Sequence, residues 1–158
     1  MAPSTGVWTW RLSVADVTCD SAFSSLPGID RSIAVVDGEG MSLVVGASLP
    51  VQLVIGADPV HFDGGADVAC SLIDGPILDL NLMVRRDRAT GQLVRRVIDP
   101  ARPLRVPLDA VAIVVLDGVL SWQGEPLGHL DALIEPVPVL LHAPDGPTEV
   151  MVAVVHAV

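Results

Sequence analysis

Residues 72–86 read LIDGPILDLNLMVRR, an Asp-Gly-Pro turn signal followed by a strict alternation of side-chain type. The apolar residues on one face are Leu78, Leu80, Leu82 and Val84. The residues on the other face are Asp79, Asn81, Met83 and Arg85, of which three are polar or charged. A period of two residues is typical of a β-strand whose two faces meet different surroundings. The stretch therefore predicts a long strand with one apolar face and one largely polar face.

Short apolar runs of this kind recur along the chain. The predicted strands span residues 8–14, 32–36, 42–45, 52–55, 68–74, 78–85, 93–98, 111–116, 130–134, 139–142 and 149–155. With 14 Gly and 13 Pro among 158 residues, little length is left for helices, and the best helical candidate, residues 127–133, is short. Many short strands between turn signals predict an all-β sandwich or barrel.

The sequence also repeats itself. VVDG at residues 35–38 recurs as VLDG at residues 115–118, which is a shift of 80 positions. Pro59-Val60 recurs as Pro138-Val139, and Asp63-Gly64 as Asp145-Gly146, at shifts of 79 and 82. A near-constant offset predicts a duplicated β-barrel, with chance matches in a turn-rich chain as the alternative. Residues 1–98 are predicted to hold the first barrel and the start of the second, and residues 99–158 the remainder, packed as one body.

Composition excludes several classes of function. The net charge of −10 repels a phosphate backbone, so the chain is predicted not to bind nucleic acid. Residues 1–6 lack a signal-peptide pattern, and the uncharged stretch 41–57 is interrupted by Gly and Pro, so no membrane association and a cytoplasmic location are expected. Cys19 and Cys70 are predicted to be free, buried thiols. A hydrophobic fraction of 51% exceeds what one small core needs and predicts a homodimer.

Several segments carry a family resemblance. They are WRLSVA at residues 10–15, FS at 23–24, PGIDR at 27–31 and the opening stretch 72–86. In this order they resemble the HutD/Ves family, where they read approximately WRxSxAxV, FSxFPGxDR and LLDGPVxDFNxMxRR. The resemblance covers about half of the chain. It implies a double-cupin (bicupin) fold, which agrees with the repeat.

The resemblance also implies a function. Family members look like proteins that bind a small molecule and restrain histidine utilization without catalysing a reaction. The implied ligand is a small carboxylate, such as urocanate or a formylated or formiminated glutamate. The family's opening segment, approximately WKNGGGxTxEI, has no counterpart before Trp8. Either a shortened branch or a truncated start explains this departure.

Arg31 is the leading candidate for a ligand contact. It follows a Pro-Gly turn and enters the apolar strand 32–36, where a buried guanidinium needs a partner. It either forms a structural salt bridge with Asp30 or another carboxylate, or it binds a ligand carboxylate from inside the barrel. The predicted ligand-binding residues are Arg11, Ser13, Ser24, Asp30, Arg31 and Asn81. For the strand face that carries Arg11 and Ser13, and for the one that carries Asn81, the alternative is a solvated outer face.

Catalytic and metal-binding motifs are missing from the sequence. Its four histidines form no HxH pair, so no metal and no cofactor are expected. No GxSxG motif is present, and no catalytic residue is predicted. The alternative to a binding protein is a metal-independent cupin enzyme, an isomerase or lyase with Asp30 or Asp79 as the base.

Five of the nine basic residues, all of them arginines, fall within residues 85–96. Around Thr90-Gly91 they predict an arginine-rich hairpin. A solvated hairpin that pairs with acidic neighbours is one interpretation, and an anion site is the other.

Overall fold

The computed structural model describes residues 8–136 and 139–158, which form sixteen strands and no helix. The strands are β1 (Trp10–Val17), β2 (Ser21–Ala22), β3 (Ile29–Asp37), β4 (Met41–Val45), β5 (Val51–Leu53), β6 (Val60–Asp63), β7 (Val68–Leu72), β8 (Ile77–Arg85), β9 (Ala89–Ile98), β10 (Leu104–Arg105), β11 (Ala110–Asp117), β12 (Leu120–Trp122), β13 (Glu125–Leu127), β14 (Ala132–Ile134), β15 (Leu140–Leu141) and β16 (Thr148–Ala157). The all-β prediction is confirmed. The helical candidate 127–133 instead holds the end of β13, a turn and the start of β14.

The first half of the fold, β1 to β8, consists of two four-stranded sheets. One has the order β1-β8-β3-β6 and the other the order β2-β7-β4-β5. Apolar side chains from both sheets, among them Ile33, Met41 and Leu43, form a buried core between them. Strand alternation selects these residues, because Ile33 and Val35 turn to this core while Ala34 and Val36 turn to the other face of β3.

The second half, β9 to β16, repeats this arrangement in a reduced form. Its large sheet has the order β14-β11-β16-β9 and is accompanied by two-stranded sheets, β10-β15 and β12-β13. Ile113, Leu120 and Leu141 are fully buried in its core. The hydrogen-bonded sheets of both halves stay open. Each predicted barrel is therefore a sandwich of facing sheets.

A third core joins the two halves. Side chains from both large sheets, including Leu80 and Leu82 of β8 and Met151 of β16, pack in one buried cluster. The hydroxyl oxygen of Ser32 on β3 accepts a hydrogen bond from the Leu93 amide of β9 at 3.0 Å, which ties the halves across this core. The two large sheets are consequently covered on both faces. This explains why their central strands, β3, β8, β11 and β16, read as apolar runs with few exposed positions.

All eleven strands predicted from the sequence are present, with ends shifted by at most four residues. The strands missed in the prediction are β2, β6, β10, β12 and β13, which are two to four residues long. Segments this short do not establish a period. Cys70 is buried as predicted, but Cys19 is exposed because it precedes β2, an edge strand.

The internal repeat is visible in the strand pairing. β3 and β11 occupy the same place in their sheets, and each is irregular at the same point, between Val35 and Asp37 and between Val115 and Asp117. The 80-residue shift therefore relates equivalent strands. Asp145-Gly146 precedes β16, which pairs with β11 as β8 pairs with β3. It therefore corresponds to Asp74-Gly75, which precedes β8, at a shift of 71. The predicted match with Asp63-Gly64 is wrong. The Pro138 match lies outside the described residues. The predicted division at residues 98 and 99 stays a prediction.

Gly38 and Gly118 mark the matching tight turns. Both have positive φ, 89° and 83°. A Cβ on Gly38 would lie 2.6 Å from the carbonyl oxygen of Pro76, and one on Gly118 would lie 3.0 Å from the carbonyl oxygen of Pro147. The two turns thus meet the same part of the neighbouring strand in each half, and only glycine fits there.

Gly38→Ala is expected to destabilise the protein by about 1 kcal/mol more than Gly75→Ala. Both glycines have positive φ, 89° and 70°, but a Cβ at Gly75 meets no atom within 4 Å. The difference therefore isolates the contact with Pro76. Urea unfolding of the two variants measures it, and equal midpoints would show that backbone strain alone is responsible.

The arginine-rich segment 85–96 is not a hairpin. β8 pairs with β1 and β3 whereas β9 pairs with β16, so residues 86–88 carry the chain from one half to the other. Thr90 and Gly91 lie inside β9. The turn signal misled the prediction because a glycine also suits a strand where another backbone approaches closely. Among the described residues, three of the five arginines form salt bridges with carboxylates, namely Arg85 with Asp87, Arg86 with Asp30 and Asp63, and Arg95 with Glu149.

Candidate functional site

A cavity of about 460 Å³ lies in the first half, on the inner face of the β1-β8-β3-β6 sheet. Strands β1, β3 and β8 form its floor, and the segment that follows β2 lies over it. The lining residues are Arg11, Ser13, Ala15, Val17, Ala22, Phe23, Ser24, Leu26, Arg31, Asp79, Asn81 and Met83. Alternation along β1 and β8 gives the floor its polar residues, since every second side chain of each strand points into the cavity.

Strand register arranges the floor in three rows. Met83 of β8 pairs with Arg11 on one side and Arg31 on the other. The next row has Asn81 beside Ser13, and the third row has Asp79 beside Ala15. The floor is therefore cationic at one end, uncharged and polar in the middle, and anionic at the other end.

Arg31 is enclosed by two aromatic rings. Its guanidinium carbon lies 4.9 Å from the centroid of Phe23 and 5.3 Å from that of Phe62. The side chain is buried, with 8% exposure, and its Nε has no hydrogen-bond partner among the described residues. Burial lowers the pKa of this guanidinium, and the nearby Asp79 carboxylate opposes that shift. Cation–π contacts hold the cation in a dry setting without neutralising it.

Asp79 is a buried acid at the opposite end of the floor. It is 3% exposed, and its Oδ1 has no hydrogen-bond partner in the described part of the chain. Burial raises the pKa of Asp79 to about 6, and Arg31 limits that rise. The carboxyl group therefore changes its charge close to neutral pH, where an ordinary aspartate is fully ionised.

The buried polar residues of the described chain divide into two groups. Ser32 and Thr148 have hydrogen-bond partners in the Leu93 amide and the Val119 carbonyl. Each member of the other group, Arg31, Asp79 and Asn81, leaves one buried atom without a partner among the described residues. All three of these residues line the same cavity. Such groups are costly in a folded protein, and their concentration in one cavity makes it the candidate functional site.

The second half shows that the fold does not need these polar groups. At the shift of 71 established by the register, Val150 and Val152 of β16 take the places of Asp79 and Asn81 of β8. Both valines are essentially fully buried in the core of the second half, at 0% and 1% exposure. The same strand position is thus filled by an apolar side chain in one half and by a polar one in the other. Among the described residues, the buried side-chain atoms without a partner therefore belong to the first half.

The structure brings five of the six predicted ligand-binding residues together, since Arg11, Ser13, Ser24, Arg31 and Asn81 all line the cavity. Asp30 does not. Its carboxylate accepts hydrogen bonds from Arg86, with one nitrogen 2.5 Å from Oδ1, and Arg86 also reaches Asp63 at 3.1 Å. Adjacent residues of a strand face opposite sides, so Asp30 and Arg31 cannot both point inward. The interpretation that Arg31 pairs with Asp30 is therefore wrong.

Three residues of the site were not predicted from the sequence as ligand contacts. Asp79 was considered only as the base of an alternative enzyme, although it shares the face of Asn81. Phe23 entered only through a family motif. Phe62 was missed because β6 was not predicted. Its alternation with the polar residues His61 and Asp63 is the one pattern in the sequence that indicates a strand there.

Among residues 8–136 and 139–158, no three His, Cys, Asp or Glu side chains lie together as metal ligands. Within the same residues no helix is long and apolar enough to cross a membrane.

Comparison with solved structures identifies the fold. The chain superposes on HutD from Pseudomonas fluorescens SBW25, solved in a formate condition, with a TM-score of 0.70 and 30% identity over 95% of this chain and 80% of that one. A conserved protein of unknown function from Pseudomonas aeruginosa PAO1 gives a TM-score of 0.73 and 28% identity over 96% and 84%. A cupin 2 conserved barrel domain protein from Leptotrichia buccalis shares the fold at 14% identity, with a TM-score of 0.58 over 94% and 84%. The predicted cupin fold is confirmed, in the form of facing open sheets.

Sequence comparison agrees. An uncharacterized 21.2 kDa protein from the hutC 3′ region of Pseudomonas putida is 37% identical over 84 residues, which is 53% of this chain and 44% of that protein. Protein Ves from Cronobacter sakazakii is 35% identical over 92 residues, 58% of this chain and 50% of that protein. The chain thus spans about half the length of the curated relatives it matches. The HutD family model matches residues 1–141. On this match and on the structural similarity, the chain belongs to the HutD family.

Proposed function

We propose that the first-half cavity binds a small carboxylate and that the protein acts as a non-catalytic regulator of histidine utilization. The observation that supports this best is the grouping of Arg31, Asp79 and Asn81, each buried with an unpartnered atom, around one cavity. A ligand carboxylate at Arg31 forms charge-assisted hydrogen bonds that the described residues do not supply.

Family membership supports the biological setting. One matched relative comes from the hutC 3′ region, and another is HutD itself. The ligand candidates remain urocanate and a formylated or formiminated glutamate, all of which carry a carboxylate. A binding protein requires only complementary charge and shape, which the arginine end and the polar middle of the cavity offer. A homodimer, expected from the apolar composition, is part of the same proposal.

A thermal-shift screen against these acids tests the proposal. A ligand at a hundred times its Kd stabilises the folded state by about 2.7 kcal/mol. For a chain of this size, that gain raises Tm by roughly 5–10 °C. Acetamide and imidazole, which lack a carboxylate, serve as controls and are expected to leave Tm unchanged. If none of the acids raises Tm at millimolar concentration, the cavity is not a carboxylate site.

The second candidate is a metal-independent isomerase or lyase, and the pKa of Asp79 favours it specifically. A pKa of about 6 is well suited to a general base near neutral pH. Asp79 lines the cavity, whereas Asp30, the other base considered, lies outside it. Proton NMR of each bound acid over hours separates the candidates. Conversion of the acid by the parent protein, with loss of that conversion in Asp79→Asn, would establish the enzyme.

A further inference from the structure

We propose that the cavity selects ligands that carry a carboxylate at one end and a positively charged nitrogen at the other. This inference rests on the proposed function, because it assumes that the carboxylate occupies the arginine end. It adds the charge at the other end of the ligand, which neither the fold nor the family match assigns.

The order of charges along the floor gives the direction of the ligand. Arg11 and Arg31 flank Met83, while Asp79 lies four residues away along β8. At about 3.4 Å per residue, the two rows are roughly 13–14 Å apart at their backbones. Ser13 and Asn81 lie in the row between them. A ligand that lies along β8 therefore meets a cation first, then uncharged polar groups, then a carboxylate.

Arg31 and Asp79 do not neutralise each other. Among the described residues, no salt bridge within 4.0 Å joins the two side chains. Each nevertheless affects the pKa of the other through its charge. Two opposite charges that are buried and unpaired carry a desolvation cost that direct pairing would reduce. A ligand with two opposite charges pairs with both at once. A ligand with only a carboxylate satisfies Arg31 and leaves Asp79 unpaired.

The groups around Asp79 favour a cation over a second anion. Ala15 beside it on β1 and Val35 across from it on β3 are uncharged and supply no hydrogen-bonding side chain. Within residues 8–136 and 139–158, Arg31 is the charged group that shifts the pKa of Asp79. An ammonium at this end therefore gains a charge-assisted hydrogen bond, whereas a methyl group in the same place buries the carboxylate without a partner.

Matched pairs of probes isolate this end of the ligand. They are 3-aminopropanoate with butanoate, 4-aminobutanoate with pentanoate, and 5-aminopentanoate with hexanoate. In each pair an ammonium replaces a methyl group of similar size, and the three lengths sample the distance to Asp79. Titration calorimetry with the full chain at pH 7.5 is expected to show at least one ammonium probe binding tenfold or more tightly than its methyl partner. The comparison is conservative, since burial favours the methyl group.

Asp79→Asn is expected to reduce that ratio to within about twofold. Asp74→Asn, which removes a charge from the turn before β8 and outside the cavity, should keep it. Methyl probes that bind as tightly as their ammonium partners at every length would overturn the inference in the parent protein alone, without any variant. A ratio that survives Asp79→Asn would also overturn it. If no probe of either kind binds, it is the carboxylate site itself, and hence the proposed function, that fails.

Discussion

Arg31→Gln is expected to weaken carboxylate binding between about tenfold and a hundredfold. A hydrogen bond to a charged group contributes about 1.5–3 kcal/mol, and 1.4 kcal/mol corresponds to a factor of ten in Kd. Arg31 is enclosed by Phe23 and Phe62, so its guanidinium is held in a dry position where this contribution is retained. Glutamine keeps a hydrogen-bond donor at the site but removes the charge and the forked geometry. Titration calorimetry with the tightest acid from the thermal-shift screen measures the loss.

Arg102→Gln is the matched control. It makes the same change in net charge at an exposed residue outside the cavity. Its Kd is expected to stay within twofold of the parent at physiological salt, because exposed charges are screened beyond about 8 Å. Equal losses in the two variants would mean that the overall charge, and not the cavity, attracts the acid. An unchanged Kd in Arg31→Gln would remove Arg31 from the site.

Asp79→Asn is expected to stabilise the protein by roughly 1–3 kcal/mol at pH 7.5 and by close to nothing at pH 4. The folded state raises the pKa of Asp79 from its ordinary 3.8 to about 6 because the carboxyl is buried. Between these values the folded state binds more protons than the unfolded state, so the stability of the parent falls as the pH rises. A rise of about two units corresponds to about 3 kcal/mol. Asparagine has the same shape and no charge, which removes this loss.

Urea unfolding of the parent and the variant between pH 4 and pH 8 gives the difference directly. The stability of the parent is subtracted because Asp63 and Asp87 have lowered pKa values. Their contribution to the stability of the protein is lost as the pH falls, which is opposite to the effect of Asp79. Asp74→Asn is the control and should follow the parent at every pH. A difference between parent and Asp79→Asn that does not change with pH would show that Asp79 is already neutral, or ordinarily ionised, in the folded protein.

The positions of Asp79 and Asn81 favour a ligand site at the expense of stability. The second half of the fold fills the places of Asp79 and Asn81 with valine, and a buried charge costs more than a buried valine. The first half thus has polar residues at positions where the second half has apolar ones. A site that requires polar groups accounts for this cost in stability.

The strands could be predicted from the sequence wherever they are long. Alternation over residues 77–85 and 10–17 places Asp79 with Asn81, and Arg11 with Ser13, and the structure has them so. This works because side chains of a strand alternate with a fixed period, whatever surrounds the strand. Five of the short strands, β2 and β6 above all, could not be found this way. They form because a distant strand offers them hydrogen-bond partners. Ala22 of β2 pairs with Ala69 of β7, which is 47 residues away, and Phe62 of β6 pairs with Arg31 of β3, which is 31 residues away.

The sequence by itself determined that the protein is all-β, that it is duplicated, and which residues share a face. These follow from local periodicity and turn chemistry, which depend only on neighbouring residues. Only the tertiary structure decided which face is the inside of a site. In β8 both faces are buried, one against the other half and one toward the cavity, so alternation could not tell them apart. The tertiary structure also turned Asp30 outward to Arg86, enclosed Arg31 between two rings, and raised the pKa of Asp79. Each of these depends on residues far apart in the chain. Their approach creates a low dielectric, which shifts the pKa of a buried charge and strengthens its interactions.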